Sequence, residues 1–465
     1  MRTILTKPNR IIQILTLLAI SPTVFSQTSI LDNYIDSAFK SNIVLQQKNI
    51  SLEKAGYALE IAKGYYYPSV SFQAGYQTAG GGRDIYLPLG DLLNEAYTTL
   101  NQLTQSNKFP QLKNERINFL PENFYDAKFR TTVPIINSDL KYNKEINKQQ
   151  VTLSEYEIEI YKRELVKNIK TAYFNYRNAL EAIAIYQSTL QLANEGKRVN
   201  EKLLENGKGL PAYILRSTSE IENVNAQVTA AEQQAANAKM YFNFLLNRNQ
   251  DEPISTEYNT DTEIKNIESL LTDRQSPVNR EELKMLQGVV ALNETALKMN
   301  KAVYYPKLNG FLDLGSQAQN WKFNSQSRYY MVGLQLDVPI FAGFRNRNKI
   351  KQSGLDVKNA ALNLEQVKQQ LQLAGNTAYN NLRSAYRSFQ SSQKQLEAAQ
   401  TYQRLIERGY REGSNTFIET VDARNQLTQA QLLVSINQYK VLSAAAGVER
   451  ETASFNLNKQ KKDLR

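Results

Sequence analysis

The chain is predicted to be mainly α with a small β part. It reads as a tandem-repeat protomer with long coiled-coil helical hairpins and four β-strands of membrane-crossing length. Three observations point there. First, Tyr65 to Tyr76 (Tyr-Tyr-Tyr-Pro-Ser-Val-Ser-Phe-Gln-Ala-Gly-Tyr) recurs as Tyr304 to Gly315, and Lys128 to Ile135 recurs as Gly333 to Ile340, each ending in Val-Pro-Ile. Second, each strand-like pair precedes a stretch of more than sixty residues with helical periodicity and almost no Gly or Pro. Third, the strand-like runs alternate apolar and polar residues with period two. A unit of two alternating strands and one giant hairpin cannot bury its own faces, so it needs further copies.

In chain order, residues 1–26 are expected to be a signal peptide. Arg2, Lys7 and Arg10 make a basic start, Ile11 to Ile20 a short apolar core, and Val24-Phe25-Ser26 a cleavage site before Gln27. Residues 27–250 form a first repeat of helix, two strands and helical hairpin. In its first strand Val70, Phe72, Ala74 and Tyr76 share one face, and in its second Tyr125, Ala127, Phe129, Thr131 and Val133 do so. Pro68 and Pro306 lie 238 apart but Pro134 and Pro339 only 205, so the first strand pair carries 33 extra residues within about Ala79 to Glu122. That excess, with a short helix near Asp91 to Leu103, is expected at the outer mouth.

The helix expected from Ser138 to Glu205 has no Pro, and Gly196 is its single glycine. Ile158, Tyr161, Leu165, Ile169, Ala172, Tyr176, Ala179 and Ile183 step by three and four, a coiled-coil seam. At about 1.5 Å per residue the rod would be on the order of 100 Å long. Asn206-Gly207-Lys208-Gly209-Leu210-Pro211 ends it and a return helix follows. Residues 251–279 are a polar linker. Residues 280–450 repeat the plan, with strand faces led by Leu308 to Leu314 and Tyr330 to Val338, a seam from Leu371 to Ile406 and a tip at Gly413. Residues 451–465 are a charged tail.

Composition narrows the chemistry. With no Cys and no His there is no disulfide framework, thiol nucleophile, imidazole base, or Cys or His metal ligand. No cofactor and no metal site is expected, and no enzyme activity. The formal charge of +11 falls to +8 without Arg2, Lys7 and Arg10, and its bases are scattered among Glu and Gln along the helices. That is a solvated helical surface, not a nucleic-acid footprint.

Strands of about ten residues suit a tilted crossing of the hydrocarbon layer. Tyrosines cluster at their ends, at Tyr65 to Tyr67, Tyr304-Tyr305 and Tyr329-Tyr330, as in an interfacial girdle. Four strands cannot close a barrel, and lipid does not tolerate an open edge, so several chains must contribute. Three would give a 12-stranded β-barrel above an α-helical barrel.

The repeated Tyr-Tyr-Pro-x-(Val/Leu) openings, the Val-Pro-Ile exits (Val133 to Ile135, Val338 to Ile340) and the Gly turns resemble the TolC-like outer-membrane efflux protein family over roughly residues 30 to 450. The resemblance implies a homotrimer in the outer membrane of a Gram-negative bacterium, extending into the periplasm. It further implies docking of a periplasmic adaptor (membrane fusion protein) and an inner-membrane pump, with small toxic molecules as cargo. Tyr410, Glu419 and Asp422 fall on the family's entrance-gate motif, the two acids three apart on one helix face. They would form carboxylate rings, or else be first-turn acids favoured by the helix dipole. Tyr213 stands where the first tip is often acidic, and Asn415 where a locking base is used. The adaptor would meet Gly207, Lys208, Leu210 and Pro211 with Gly413, Ser414, Asn415 and Thr416. Alternatives are the exit duct of type I protein secretion, a soluble periplasmic coiled-coil adaptor, and an envelope enzyme using paired carboxylates.

Overall fold

In the computed structural model, which describes residues 30–271 and 280–457, the four alternating segments form a single antiparallel sheet. Its strands are β1 (Ser69–Gln77), β4 (Phe124–Ile136), β5 (Lys307–Gln319) and β6 (Arg328–Asp337), ordered β1-β4-β5-β6, so the two halves of the chain meet between β4 and β5. Register places Phe72 opposite Phe129, Phe129 opposite Leu314 and Leu314 opposite Tyr330, one continuous row on one face. Among the described residues nothing covers that row: Val70, Phe72, Phe129, Tyr330, Val332 and Leu334 are all more than half exposed. The opposite face is polar and internally paired. Arg130 grips Asp313 in a two-pronged contact of 2.7 and 2.6 Å, and Asp126 accepts from Lys128 at 2.9 Å and from the Tyr329 hydroxyl at 2.8 Å. Among the described residues the outer edges of β1 and β6 have no partner strand.

β4 and β5 are 13 residues each, longer than the expected ten. β4 runs through the Val-Pro-Ile exit to Ile136, with its register shifting between Pro134 and Ile136, where proline cannot donate to the ladder. The matching exit Val338 to Ile340 is not strand; β6 stops at Asp337. At the turn end of the sheet, Trp321 stacks on Tyr76 and Tyr125 at 5.5 Å each. At the helix end the exposed Tyr65 to Tyr67 and Tyr304-Tyr305 precede β1 and β5. Nine or ten strand residues at ~3.3 Å separate these aromatic levels by roughly 30 Å.

The excess segment between β1 and β4 folds on its own stem. It holds a hairpin of β2 (Asp84–Leu87) and β3 (Glu115–Asn118), which the sequence reading missed, around α3 (Leu89–Thr104). Asparagines staple it: Asn94 exchanges both amide bonds with the backbone of Leu112, Asn101 does the same with Phe109, and Asn114 accepts from the amides of Gly90 and Asp91.

Below the sheet run two very long helices, α4 (Ser138–Glu205) and α8 (Arg345–Arg411), of 68 and 67 residues. Their return partners are α5 (Pro211–Leu245) and α9 (Phe417–Thr452). Each repeat opens with a shorter helix that packs beside the long ones, α2 (Ile43–Gly64) and α7 (Glu281–Lys301). The main apolar core lies halfway down the rods, where α1 (Ile30–Ser41) and α6 (Thr260–Leu270) wrap them. Ile35, Leu165, Ile169, Tyr173, Phe242, Ile267, Leu382 and Leu442 are buried there. α6 falls inside the expected linker, and its Ile264 and Ile267 reach this core.

Asn42 secures the break between α1 and α2. It accepts from the Leu45 amide at 3.0 Å and the Tyr161 hydroxyl at 3.0 Å, and donates to the Leu245 carbonyl at 2.9 Å. Ion pairs close the sheet-facing side of the core. Arg163 holds Glu281 at 2.6 and 2.7 Å and reaches the carbonyls of Ala453 and Phe455. Arg280, almost fully buried, pairs with Glu282 and Glu451. The expected signal peptide and the charged tail from residue 458 onward lie outside the described residues. Among the described residues no helix is long and apolar enough to cross a membrane.

Candidate functional site

The two hairpin tips lie side by side. At the first, α4 ends at Glu205 and Gly207 takes the left-handed backbone (φ 70°) that lets Lys208 N donate back to the Leu203 carbonyl at 2.8 Å. Pro211 then opens α5 at a first-turn position that needs no amide donor. At the second, Gly413 (φ 80°) plays the same part and Ser414 N returns to the Gly409 carbonyl at 2.7 Å. Aromatic rings join the tips: Tyr213 of the first lies 5.3 Å from Phe417 of the second, which is 6.1 Å from Tyr410. The departure noted at Tyr213 is thus an aromatic contact where an acid would have offered charge.

Of the gate residues, Tyr410 is half-buried and donates its hydroxyl to Asn200 Oδ1 on α4 at 2.8 Å. Asn200 donates to Ser217 Oγ on α5 at 3.2 Å, so one chain of bonds ties α8, α4 and α5. Burial and the neighbouring Tyr213 raise the Tyr410 hydroxyl above its ordinary pKa, so it stays a donor.

Glu419 is turned back on its own helix start. Its Oε2 accepts from the Thr416 amide at 2.6 Å, the Thr416 hydroxyl at 3.0 Å and Asn415 Nδ2 at 3.3 Å. The Glu419 amide in turn donates to Thr416 Oγ1 at 3.3 Å, completing a capping box. Those donors, the Thr416 amide foremost, hold the carboxyl below its usual range. Asp422 is exposed and accepts only from Gln426 Nε2, at 2.8 Å. Within one protomer, then, both acids are exposed; Glu419 is held by the helix start, and Asp422 by Gln426 alone. Asn415 also sits tightly: a Cβ on Gly409 would lie 1.9 Å from its Oδ1.

Of the docking residues, Gly207, Lys208, Leu210, Pro211, Gly413, Ser414 and Thr416 are exposed, and Asn415 is half-buried. Nothing here sets a nucleophile against a base. Among the described residues no group of three or more acids is placed to hold a metal.

Sequence reasoning missed a buried layer behind the gate. Arg424 of α9 donates to Glu220 of α5 at 3.2 Å, both side chains about 6% exposed. Thr189 and Thr428 hydrogen-bond at 2.8 Å in the same seam. The available signal was Gly196: its backbone faces the Arg424 guanidinium, with a Cβ there lying 3.1 Å from Nη2.

The profile of the outer membrane efflux protein family matches residues 274–452. The chain is 23% identical over 309 residues to outer membrane protein TolC of Escherichia coli K12, covering 60% of this chain and 61% of that one. It is 22% identical over 320 residues to TolC of Salmonella enteritidis. The chain thus spans a little under two thirds of the curated relatives it matches. Among solved structures it is similar to the outer-membrane channel OprN (TM-score 0.71, 17% identity, covering 92% and 90% of the two chains). CusC (0.72, 15%, 91% and 91%) and the Campylobacter jejuni outer membrane channel CmeC (0.70, 15%, 93% and 89%) have the same fold.

Proposed function

We propose that this chain belongs to the outer membrane efflux protein family, whose profile matches its residues 274–452, and that it assembles as a homotrimer that conducts small toxic molecules from the periplasm to the exterior. One observation carries the reading: a four-stranded sheet with an uncovered apolar face, a charged and self-paired opposite face and two open edges, set on rods of about 100 Å. Lipid would cover the apolar face and each neighbour would close an edge, β1 of one chain against β6 of the next. The charged face would then line a twelve-stranded lumen, an ordinary barrel size. The proteins it resembles are channels, and no catalytic role is assigned to this chain.

At the periplasmic end, threefold symmetry would bring three copies of Asp422 around the entrance, favouring cations there. Glu419 would contribute its charge while keeping its capping contacts. The exposed tip turns would meet a periplasmic adaptor, and through it an inner-membrane pump.

The test is extraction in mild detergent with mass measurement, followed by planar-bilayer recording. A particle of three chains that carries ion current supports the reading. A monomer stable in buffer without detergent sinks it. In cells, deletion should sensitise the organism to small toxic compounds; type I secretion would instead show as loss of an exported protein.

A further inference from the structure

One stretch departs from the even scatter of charge along the helices. Between Asp337, where β6 ends, and Asp356 there is no acid, yet Arg345, Arg347, Lys349 and Lys351 fill the first two turns of α8. All four are exposed. Arg345 donates to the Ala342 carbonyl at 3.1 Å, and among the described residues no carboxylate pairs with any of the four. The matching joint of the first repeat satisfies itself: Asn137 caps α4, and Asp139 takes an ion pair from Lys307.

The run belongs to a wider pattern of bare rings with bases one or two turns below them. At the foot of β6, Ile340, Phe341 and Phe344 are 90%, 74% and 61% exposed, the two rings edge-on at 5.4 Å, and the four bases follow. At the foot of β5, Lys298 and Lys301 of the last turn of α7 precede the exposed Tyr304 and Tyr305. At the foot of β1, Lys144 Nζ lies 5.8 Å from the centre of the exposed Tyr66 ring. Lys141, Lys144 and Lys148 step by three and four along one exposed face of α4. Residues 137–148, 294–307 and 337–355 together hold ten bases against four acids. The far end of the sheet has no such excess: residues 78–123 and 320–327 hold five of each.

We propose that this collar binds the anionic headgroups of phospholipids in the periplasmic leaflet, the rings lying above the bases among the glycerol and upper acyl groups. Charge selects the occupant. A phosphate with no ammonium of its own suits a cluster of unpaired bases, whereas a zwitterionic headgroup brings a like charge to them. On α8, Arg345 and Lys349 stand on one side of the half-buried Asn346 and Ile350, and Arg347 and Lys351 on the other. In a wall one helix thick, one pair therefore turns toward the leaflet. The choice of leaflet rests on the exit-duct reading; the binding chemistry does not.

Native mass measurement of the detergent-extracted particle, titrated with short-chain phosphatidylglycerol or phosphatidylethanolamine, gives the number and affinity of bound lipids. Phosphatidylglycerol should bind more tightly. Lys141→Gln with Lys144→Gln and Lys148→Gln should weaken it by about fivefold or more and leave phosphatidylethanolamine unchanged. Glutamine at 345, 347, 349 and 351 is the second variant, with the same expectation, and serves if the first does not fold. A control with glutamine at the exposed Lys202, Lys368 and Lys394, at least about 30 Å down the rods, should match the parent. Equal affinities in parent and folded collar variants, or an equal loss in the control, overturn the collar, whatever the bilayer conductance. Lipopolysaccharide co-extracted in place of phospholipid, and lost with the collar bases, overturns the choice of leaflet. Collar-dependent phosphatidylglycerol on a particle that carries no current supports the collar and overturns the duct.

Discussion

Replacing Phe242 by alanine should loosen the equatorial belt while leaving sheet and tips in place. The ring is fully buried, edge-on to Tyr34 at 5.1 Å and tilted against Tyr173 at 5.9 Å, with the Arg248 guanidinium 5.6 Å from its centroid. Truncating a buried phenylalanine costs about 3–5 kcal/mol. Two lost aromatic pairs of ~0.5–1.5 kcal/mol each place this site toward the upper end of that range. The cost falls on α1 and the carboxyl end of α5, because Tyr34 and Phe242 join them and α4 continues beneath. At 1.36 kcal/mol per decade, local opening would become roughly 150- to 5,000-fold more frequent. Hydrogen exchange on the detergent-solubilised protein reads this directly. Amides of residues 30–41 and 240–247 should lose protection by that factor, and those of β4 and β5 should not. A loss below tenfold in α1, or an equal loss across the sheet, would refute the assignment of this ring as the belt's anchor.

Glu281 gives a pH dependence of known sign. Burial works to raise its pKa, but the hydrogen bonds from Arg163 and from its own backbone prevail and lower it. Its contribution is therefore present above the ordinary value of 4.5 and lost as pH falls through the depressed folded value. The difference in denaturation midpoint between the wild type and Arg163→Met should shrink below pH 4.5; a constant difference contradicts the pairing. Gly409→Ala drives a methyl into Asn415 and should cost about 1–3 kcal/mol, outweighing its gain of at most ~1 kcal/mol in helix propensity. Gly207→Ala meets open space and pays only for its positive φ, about 1 kcal/mol; a raised melting point in Gly409→Ala would argue against the Asn415 contact. Asp313→Ala leaves Arg130 unpaired across β4 and β5. It should lower the temperature at which the assembled particle dissociates in dodecyl sulfate, and an unchanged temperature would mean that the pair adds nothing to the sheet.

The long helices, their tips and the four main strands were legible because their signals are periodic and come twice. The seam at Ile158, Leu165, Ile169 and Ala172 is buried as spacing alone required. What escaped was set by contacts distant in sequence. No local pattern marks β2 and β3, which are four-residue strands held by asparagine side chains in a segment with no second copy to compare. The Arg424–Glu220 contact spans 204 residues, and both residues look like ordinary helix-surface charges until the glycine between them is seen to make room. For Glu419 the sequence leaves both readings of the acid open. Its capping role follows from Thr416 three positions earlier, a pattern visible in the chain itself.

The bare margins of β1 and β6 have a genetic corollary. Each ribbon would be finished by a sibling on either side, so a ring is whole or useless and a single faulty member ruins its companions. Co-expression of the native chain in equal amount with one whose β6 margin is blocked by proline would, with random mixing in a ring of three, leave roughly one ring in eight free of defective members. The lesion should therefore behave as a dominant trait, the intact fraction falling as the cube of the native chain's share.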